Sequence, residues 1–417
     1  MSNIILQAAE SSALLQTLNQ SESKIITSIY STPPCYAPSA TNWYTLIPKT
    51  GSVTPGQSQV WDLCKYGILQ QIVLSYEKTI SYNTTADDTV VEIPSGDVFN
   101  FIDRVEYLSS SRILCTLYSE DIIAQLKSLS TDEYSTISKF ISATSQTGVN
   151  GALKLAQKVT IPIVFPFFQQ HTCPNLQFNE PVQLRIVYRD PQKYRTSGTA
   201  PTGISFSFDT KIMLRYKMYS ESDTAQLLAS NYEQEQLNML TSKYYRENPV
   251  TYTVGANRED DHKFTMELKN VDVCQDFYFM VRGPTGTALD SSQNKLLAIK
   301  RVRLTASGQE LCDLNADQLL YMKVTKSGWP VNSSYLASSM ADPMDINNVA
   351  LVQTGLWTWD RDEWTNGWSL REMNNVVAEV YVDLPANKTY TCYCQELTSC
   401  ILSTSSNVGR QVISLSN

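Results

Sequence analysis

Arg104-Val-Glu-Tyr-Leu-Ser-Ser-Ser-Arg-Ile-Leu-Cys-Thr-Leu-Tyr118 is answered later in the chain by Arg301-Val-Arg-Leu-Thr-Ala-Ser-Gly-Gln-Glu-Leu-Cys-Asp-Leu-Asn315. Laid over each other without a gap, the two stretches match at Arg104/Arg301, Val105/Val302, Ser110/Ser307, Leu114/Leu311, Cys115/Cys312 and Leu117/Leu314. The similarity continues as Glu120/Asp317, Ile122/Leu319 and Ile123/Leu320. The offset, 301 minus 104, is 197 residues in a chain of 417, so the repeating unit has the size of a whole domain, far longer than a solenoid repeat.

Working outward, the same order of elements is legible twice. Val60–Cys64 and Ile68–Tyr76 read as strands, followed by a strand pair at Phe99–Leu108 and Arg112–Tyr118 with a serine turn between them. Glu120–Phe140 carries Ile122, Ile123, Leu126 and Leu129 at helical spacing. Residues 142–151 read as a loop. Val159–Phe168 is apolar, but its two prolines restrict it to an edge or broken strand. Val182, Leu184, Ile186 and Tyr188 alternate with polar neighbours as a half-buried strand does, and so do Ile212, Leu214, Tyr216 and Met218. In the second half, Phe264–Leu268 and Val273–Val281, Leu296–Leu304 and Glu310–Leu314, Leu319–Val324, Val349–Trp359 and Val376–Val382 follow in the same sequence, with final strands at Tyr390–Leu402 and Val412–Leu415.

Each copy thus predicts about eight strands in roughly 170 residues, with a helical connection midway. Closed β-domains of that make-up are sandwiches or barrels, and eight strands point to a jelly roll. The expected fold is all-β: two tandem eight-stranded jelly rolls, a helical linker and a short N-terminal helix. The expected divisions are 1–50 (N-terminal amphipathic helix and extended arm), 51–221 (first jelly roll), 222–250 (helical linker) and 251–417 (second jelly roll). The linker helix rests on Ser222-Asp-Thr224 as a cap, on Leu227, Leu228, Tyr232, Leu237, Leu240 and Tyr244, and on Pro249 as a stop. The N-terminal helix rests on the apolar residues between Ile4 and Leu18; the Pro-rich stretch from Ser31 to Gln57 reads as a connector without an element.

Composition narrows the functional classes. A net charge of −8, with Lys24 the only basic side chain in the first 48 residues, argues against direct nucleic-acid binding. The N-terminus lacks the charged and apolar regions of a secretory signal, and no stretch approaches the ~20 apolar residues of a membrane span. The nine cysteines form no even framework. Cys392 and Cys394 would share one strand face as small core residues, or, with Cys400, serve metal or redox chemistry.

The search for catalytic groups returns little. His262 follows Glu259-Asp260-Asp261, ligands bunched too closely for a standard metal site and read as a solvated turn between domains. His171 near Cys173 lacks a third group at a known spacing. Trp357-Thr-Trp-Asp-Arg-Asp-Glu-Trp364 with Trp368 could line a sugar cleft, but Asp360, Asp362 and Glu363 lie too close together to face each other across it, and a packed aromatic corner fits better. No catalytic residue, cofactor site or metal site is therefore expected, and no enzymatic activity.

Two tandem jelly rolls with these motifs resemble the double jelly-roll major capsid proteins of tailless icosahedral DNA viruses: membrane-containing phages, adenovirus hexons, virophages, polinton-like viruses and nucleocytoplasmic large DNA viruses. Ile299–Leu311 is similar to that family's strand, Gly-Gln turn and strand; Pro166-Phe-Phe168 with Leu176–Val182 is similar to its Pro-Phe segment; Trp357–Asn375 is similar to its aromatic stretch. The resemblance implies a homotrimer whose six jelly rolls form a pseudo-hexagonal capsomer of an icosahedral shell. It also implies neighbouring capsomers, penton and minor capsid proteins as partners, an internal membrane that the N-terminal segment could touch, and a place in the virion. The competing expectation is a two-domain β-sandwich carbohydrate binder or hydrolase with Trp357, Trp359, Trp364 and Trp368 as a sugar platform, and a third is a minor capsid or receptor-binding protein.

Overall fold

In this computed structural model the described residues are 25–26, 39–48, 56–63, 68–93, 97–109, 112–128, 144–165, 182–189, 195–219, 236–270, 272–283, 296–327, 348–354, 367–370, 373–407 and 410–416. Among the described residues, eight strands build the two large sheets of the first half: β1 (Ser39–Leu46), β2 (Ser58–Asp62), β3 (Ile68–Thr84), β4 (Ile102–Ser109), β5 (Arg112–Tyr118), β6 (Gly151–Ile163), β7 (Val182–Tyr188) and β8 (Thr202–Tyr219). One sheet has the order β1-β8-β3-β6 and the other β2-β7-β4-β5. First, eighth, third and sixth strands face second, seventh, fourth and fifth: that alternation is a jelly roll.

The second half repeats it. Its strands are β9 (Gln236–Arg246) with β10 (Val250–Thr253), β11 (Glu259–Leu268), β12 (Val273–Arg282), β13 (Ile299–Ala306), β14 (Gln309–Asn315), β15 (Ala350–Gln353), β16 (Val376–Leu384), β17 (Thr389–Asn407) and a closing β18 (Arg410–Ser416). One sheet is β11-β16-β13-β14; in the other, β9 and β10 lie in tandem along β17, which pairs with β12, which pairs with β15. Strand for strand, this is the order of the first half.

The repeat stretch falls on the fourth and fifth strands of each copy. Arg104 pairs with Tyr118 and Arg301 with Asn315, so the 197-residue offset holds in register as well as in sequence. Each ladder breaks once, between Tyr107 and Leu108 in one copy and between Leu304 and Thr305 in the other. The residue left over by each bulge is Leu114 or Leu311, one of the matched pairs. In the second copy Ser307 (φ 49°) and Gly308 (φ 79°) form a two-residue turn with both central residues left-handed, the geometry that matches strand twist.

Several expectations need correction. Gln236–Arg246, assigned to the linker helix, is a strand paired with β17 along its whole length; the rest of that helix, 220–235, lies outside the described residues. Leu237, Leu240 and Tyr244 are spaced for a helix, but a partner strand more than 150 residues away decides the backbone. Ser39–Leu46, inside the expected connector, is β1. Phe99 belongs to a short helix, α1 (Asp97–Phe101), before β4 begins. The expected loop at 142–151 contains a strand, Thr144–Thr147, which joins Val90–Ile93 and Arg195–Ser197 in a small sheet beside the first jelly roll. Pro162 is tolerated because β6 is an edge strand. The N-terminal helix expected at 3–19 lies outside the described residues.

The apolar alternation closes each core. Trp61, Ile72, Leu74, Val105, Leu184, Ile186 and Leu214 fill the first sandwich, each essentially without exposure. Phe277, Phe279, Val281, Val302, Val380 and Cys394 fill the second. Each such large side chain contributes about 1.5–3 kcal/mol by leaving water.

Candidate functional site: the junction between the jelly rolls

β12 explains how the halves are joined. Its residues 277–282 are buried on both faces. Phe277, Phe279 and Val281 point into their own sandwich, while Tyr278 and Met280 join the first jelly roll's core. β17 does the same, with Cys392 and Cys394 facing inward and Tyr393 and Leu397 facing the first jelly roll. The run Phe277–Val281 is apolar without alternation because it serves two cores at once. What docks on that outer face is β5 and the helix after it, α2 (Ser119–Ser128).

At the start of α2 sits Glu120, with no exposed surface. Its Oε1 accepts from Arg282 at 2.7 Å and from Arg189 at 3.3 Å, and Arg246 lies 3.7 Å from Oε2. Arg189 belongs to the first half, Arg246 and Arg282 to the second. Burial alone would raise the Glu120 carboxyl, but the guanidiniums of Arg282, Arg189 and Arg246 outweigh it and hold it below the usual range. Arg246 also stacks on Tyr118 and Tyr393, one ring from each half, at 4.7 and 5.0 Å. From Arg189 the network continues through Asp103 (2.9 Å) and Arg104 (2.7 Å) to Glu106 (2.6 Å), which also pairs with Arg185. For Asp121, next to Glu120, burial outweighs both the Tyr118 N–H that it accepts at 2.7 Å and the pull of Arg246, and pushes its carboxyl well above the usual range.

A second polar group lies within the second jelly roll. Glu247 accepts the Lys269 and Asn270 N–H groups at 2.6 and 3.0 Å, and Glu396 accepts from the Asn270 amide at 2.7 Å. Burial, with Glu247 and Asp272 nearby, pushes Glu396 up to about 8. Lys243 pairs with Asp272 at 3.3 Å.

The chemical candidates of the sequence are dispersed. Cys392 and Cys394 are core residues whose thiols burial pushes far up, as expected of inert cysteines. Cys115 is buried and Cys312 half-buried at the same strand position. His262 is in β11, where a turn was expected; it stacks on Tyr252 at 4.0 Å and bonds Glu259 at 2.8 Å. Trp368 packs against Phe277. His171, Cys173, Trp357, Trp359 and Trp364 lie outside the described residues. Among the described residues no group of three or more His, Cys, Asp or Glu could hold a metal, and no helix is long and apolar enough to cross a membrane. The Glu120 cluster was missed in sequence: its members span 163 residues, and only the acidic start of a helix hinted at it.

Tandem jelly rolls with one strand order and a shared buried junction define a double jelly-roll protein. Among solved structures, the chain is similar to the PBCV-1 virus capsid (TM-score 0.62, 11% identity, covering 92% of this chain and 98% of that one). It is also similar to the Sputnik virophage structure (0.60, 11%, 90% and 88%) and to the mavirus major capsid protein (0.57, 12%, 89% and 90%). At these identities the likeness is one of fold. No family model and no curated protein matches the sequence.

Proposed function

We propose that this chain is a major capsid protein whose homotrimers form pseudo-hexagonal capsomers of an icosahedral shell. The observation that carries the reading is the duplication itself: two jelly rolls with the same strand order, register and bulge, held by a buried junction. Three such chains present six nearly equivalent units around a threefold axis, a closed arrangement that tiles a facet. The scarcity of basic side chains in residues 1–48 suits a shell that does not grip the genome, and the role is structural, without enzymatic activity. Neighbouring capsomers, penton and minor capsid proteins are its partners in this reading, with an internal membrane beneath the N-terminal segment. We place the boundary between the jelly rolls within 220–235, so that β1 opens the first and β9 the second. Native mass measurement and negative-stain imaging of the purified chain test this. A mass of three chains with a hexagonal outline is expected; a monomer at all concentrations overturns it.

A further inference from the structure

Two buried carboxyl groups of the second copy stand where the first copy has leucines. Tyr245 on β9 is in register with Glu396 on β17 as Tyr44 on β1 is with Leu214 on β8. Two residues further along the same strands, Glu247 takes the place of Leu46. The Glu247 N–H donates to the Cys394 carbonyl at 3.1 Å, where Leu46 is in register with Ile212. Leu214 is fully buried in the first core, and Leu46 packs against that core. Glu396 has no exposed surface and Glu247 is also buried. The jelly roll itself therefore does not require carboxyl groups at these positions, because one copy closes with apolar side chains there.

The groups that face the pair do not balance its charge. Lys243 and Tyr245 come from β9, Asn270 and Asp272 from the connection between β11 and β12, Cys394 and Cys400 from β17, and Cys115 from β5 of the first jelly roll. Burial keeps the three thiols neutral. Among these described groups Lys243 is the one cation, 3.3 Å from Asp272, so Glu247, Glu396 and Asp272 share a single positive charge. Asn270 ties the carboxyl groups together: its N–H donates to Glu247 and its side-chain amide to Glu396 Oε2. Glu396 Oε1 meets no donor among the described residues and lies beside the Glu247 carboxyl group. Two carboxyl groups side by side in a buried site can bond only while one of them keeps its proton. Burial and these acidic neighbours push Glu396 up to about 8, so that proton is present at neutral pH.

We propose that Glu396 and Glu247 form a proton-held latch, which keeps the connection between β11 and β12 closed on β9 and β17 and opens that end of the second jelly roll in alkaline medium. In the closed state the Glu396 O–H donates to the Glu247 carboxylate. When that O–H bond breaks, the proton goes to base in the solvent, and the hydrogen bond becomes a repulsion between adjacent carboxylates. Glu247 holds the N–H groups of Lys269 and Asn270, so its displacement carries the connection with it. The opening reaches one segment further: the Asp272 carbonyl accepts the Leu370 N–H at 3.3 Å, Ser369 pairs with Val273, and Trp368 packs against Phe277. The first jelly roll, with Leu46 and Leu214 at the matching positions, stays closed. The latch is a property of the single chain and does not depend on the capsid reading.

Amide hydrogen exchange of the full chain at about pH 6.5 and about pH 9.5, corrected for the pH dependence of exchange in an unstructured chain, tests this. Two variants accompany the wild type: Glu396→Gln, which keeps a donor toward Glu247 but cannot titrate, and Glu396→Leu, which installs the first copy's residue. Circular dichroism confirms that each is folded. In the wild type, peptides covering 266–273 should lose about tenfold or more of their protection at the higher pH, while peptides covering 72–74 and 161–163 in the first jelly roll keep theirs. Both variants should hold the 266–273 protection at both pH values. Unchanged protection of 266–273 in the wild type overturns the inference, and so does a loss spread equally over both jelly rolls. An equal loss in the variants also overturns it, because another group would then be the one that titrates. Should one variant fail to fold, the other carries the comparison, and the wild-type result still decides alone.

Discussion

Replacing Glu120 by Gln keeps the size of the side chain and removes its charge from among three guanidiniums. Arg282 is 1% exposed and 2.7 Å from the carboxylate, so the variant takes the Glu120 charge away from a buried cation. Breaking a buried pair on one side costs about 3–5 kcal/mol, a large share of the ~5–15 kcal/mol that holds a typical protein folded. The cost falls on the junction, because Arg246 and Arg282 come from one jelly roll and Glu120 and Arg189 from the other. Urea unfolding at neutral pH, followed by tryptophan fluorescence and circular dichroism together, reads both effects. The midpoint should fall, and the single transition should split in two as the jelly rolls uncouple. Asp260→Asn, at the exposed pair with Arg258, should leave the midpoint unchanged. Glu120→Leu combined with Arg282→Met should recover part of the loss, since an apolar contact replaces the ions. The pH dependence has a definite sign. The folded-state value of Glu120 lies below its unfolded value, so its contribution is complete above the ordinary carboxylate range and is lost as pH falls through the folded value. A loss below 1 kcal/mol with a single transition would refute the reasoning.

Glu396, pushed up to about 8 among Glu247, Asp272, Asn270 and Lys243, keeps its proton in the folded chain at pH values where the unfolded chain has lost it. Stability should therefore decline as pH rises from about 4.5 to about 8, by up to ~1.4 kcal/mol per pH unit, and then level; Glu396→Gln should flatten that slope in unfolding midpoints taken from pH 5 to 9. Gly308 has φ 79° and open space where a Cβ would stand, so Gly308→Val should cost about 1–2 kcal/mol in thermal melting through backbone strain alone.

Outer-face ion pairs show how the duplication was kept. In the first copy Arg185 on the seventh strand faces Glu106 on the fourth; in the second, Glu379 on the seventh faces Arg303 on the fourth. The charges are exchanged but the pairing is retained, at 3.6 Å in the second copy. Sequence identity is lost at such a site while its geometry persists, which is why only the hairpin stretch kept matching residues.

The sequence alone determined the duplication, its offset of 197 residues, and the strands whose own alternation shows their faces, such as Val182–Tyr188 and Val376–Leu384. These are local properties: a period of two and a turn that needs Gly308. Tertiary structure decided what local pattern cannot contain. Gln236–Arg246 became a strand because Thr389–Asn407 lies beside it, and β-pairing energy is paid by a distant partner. Glu120 and Asp317 stand at the same place in the two copies, yet one is sealed among three arginines and the other meets solvent. The hairpin shared by the two copies encodes one shape, and only the packing of the copies seals the helix start after it in the first and leaves it exposed in the second.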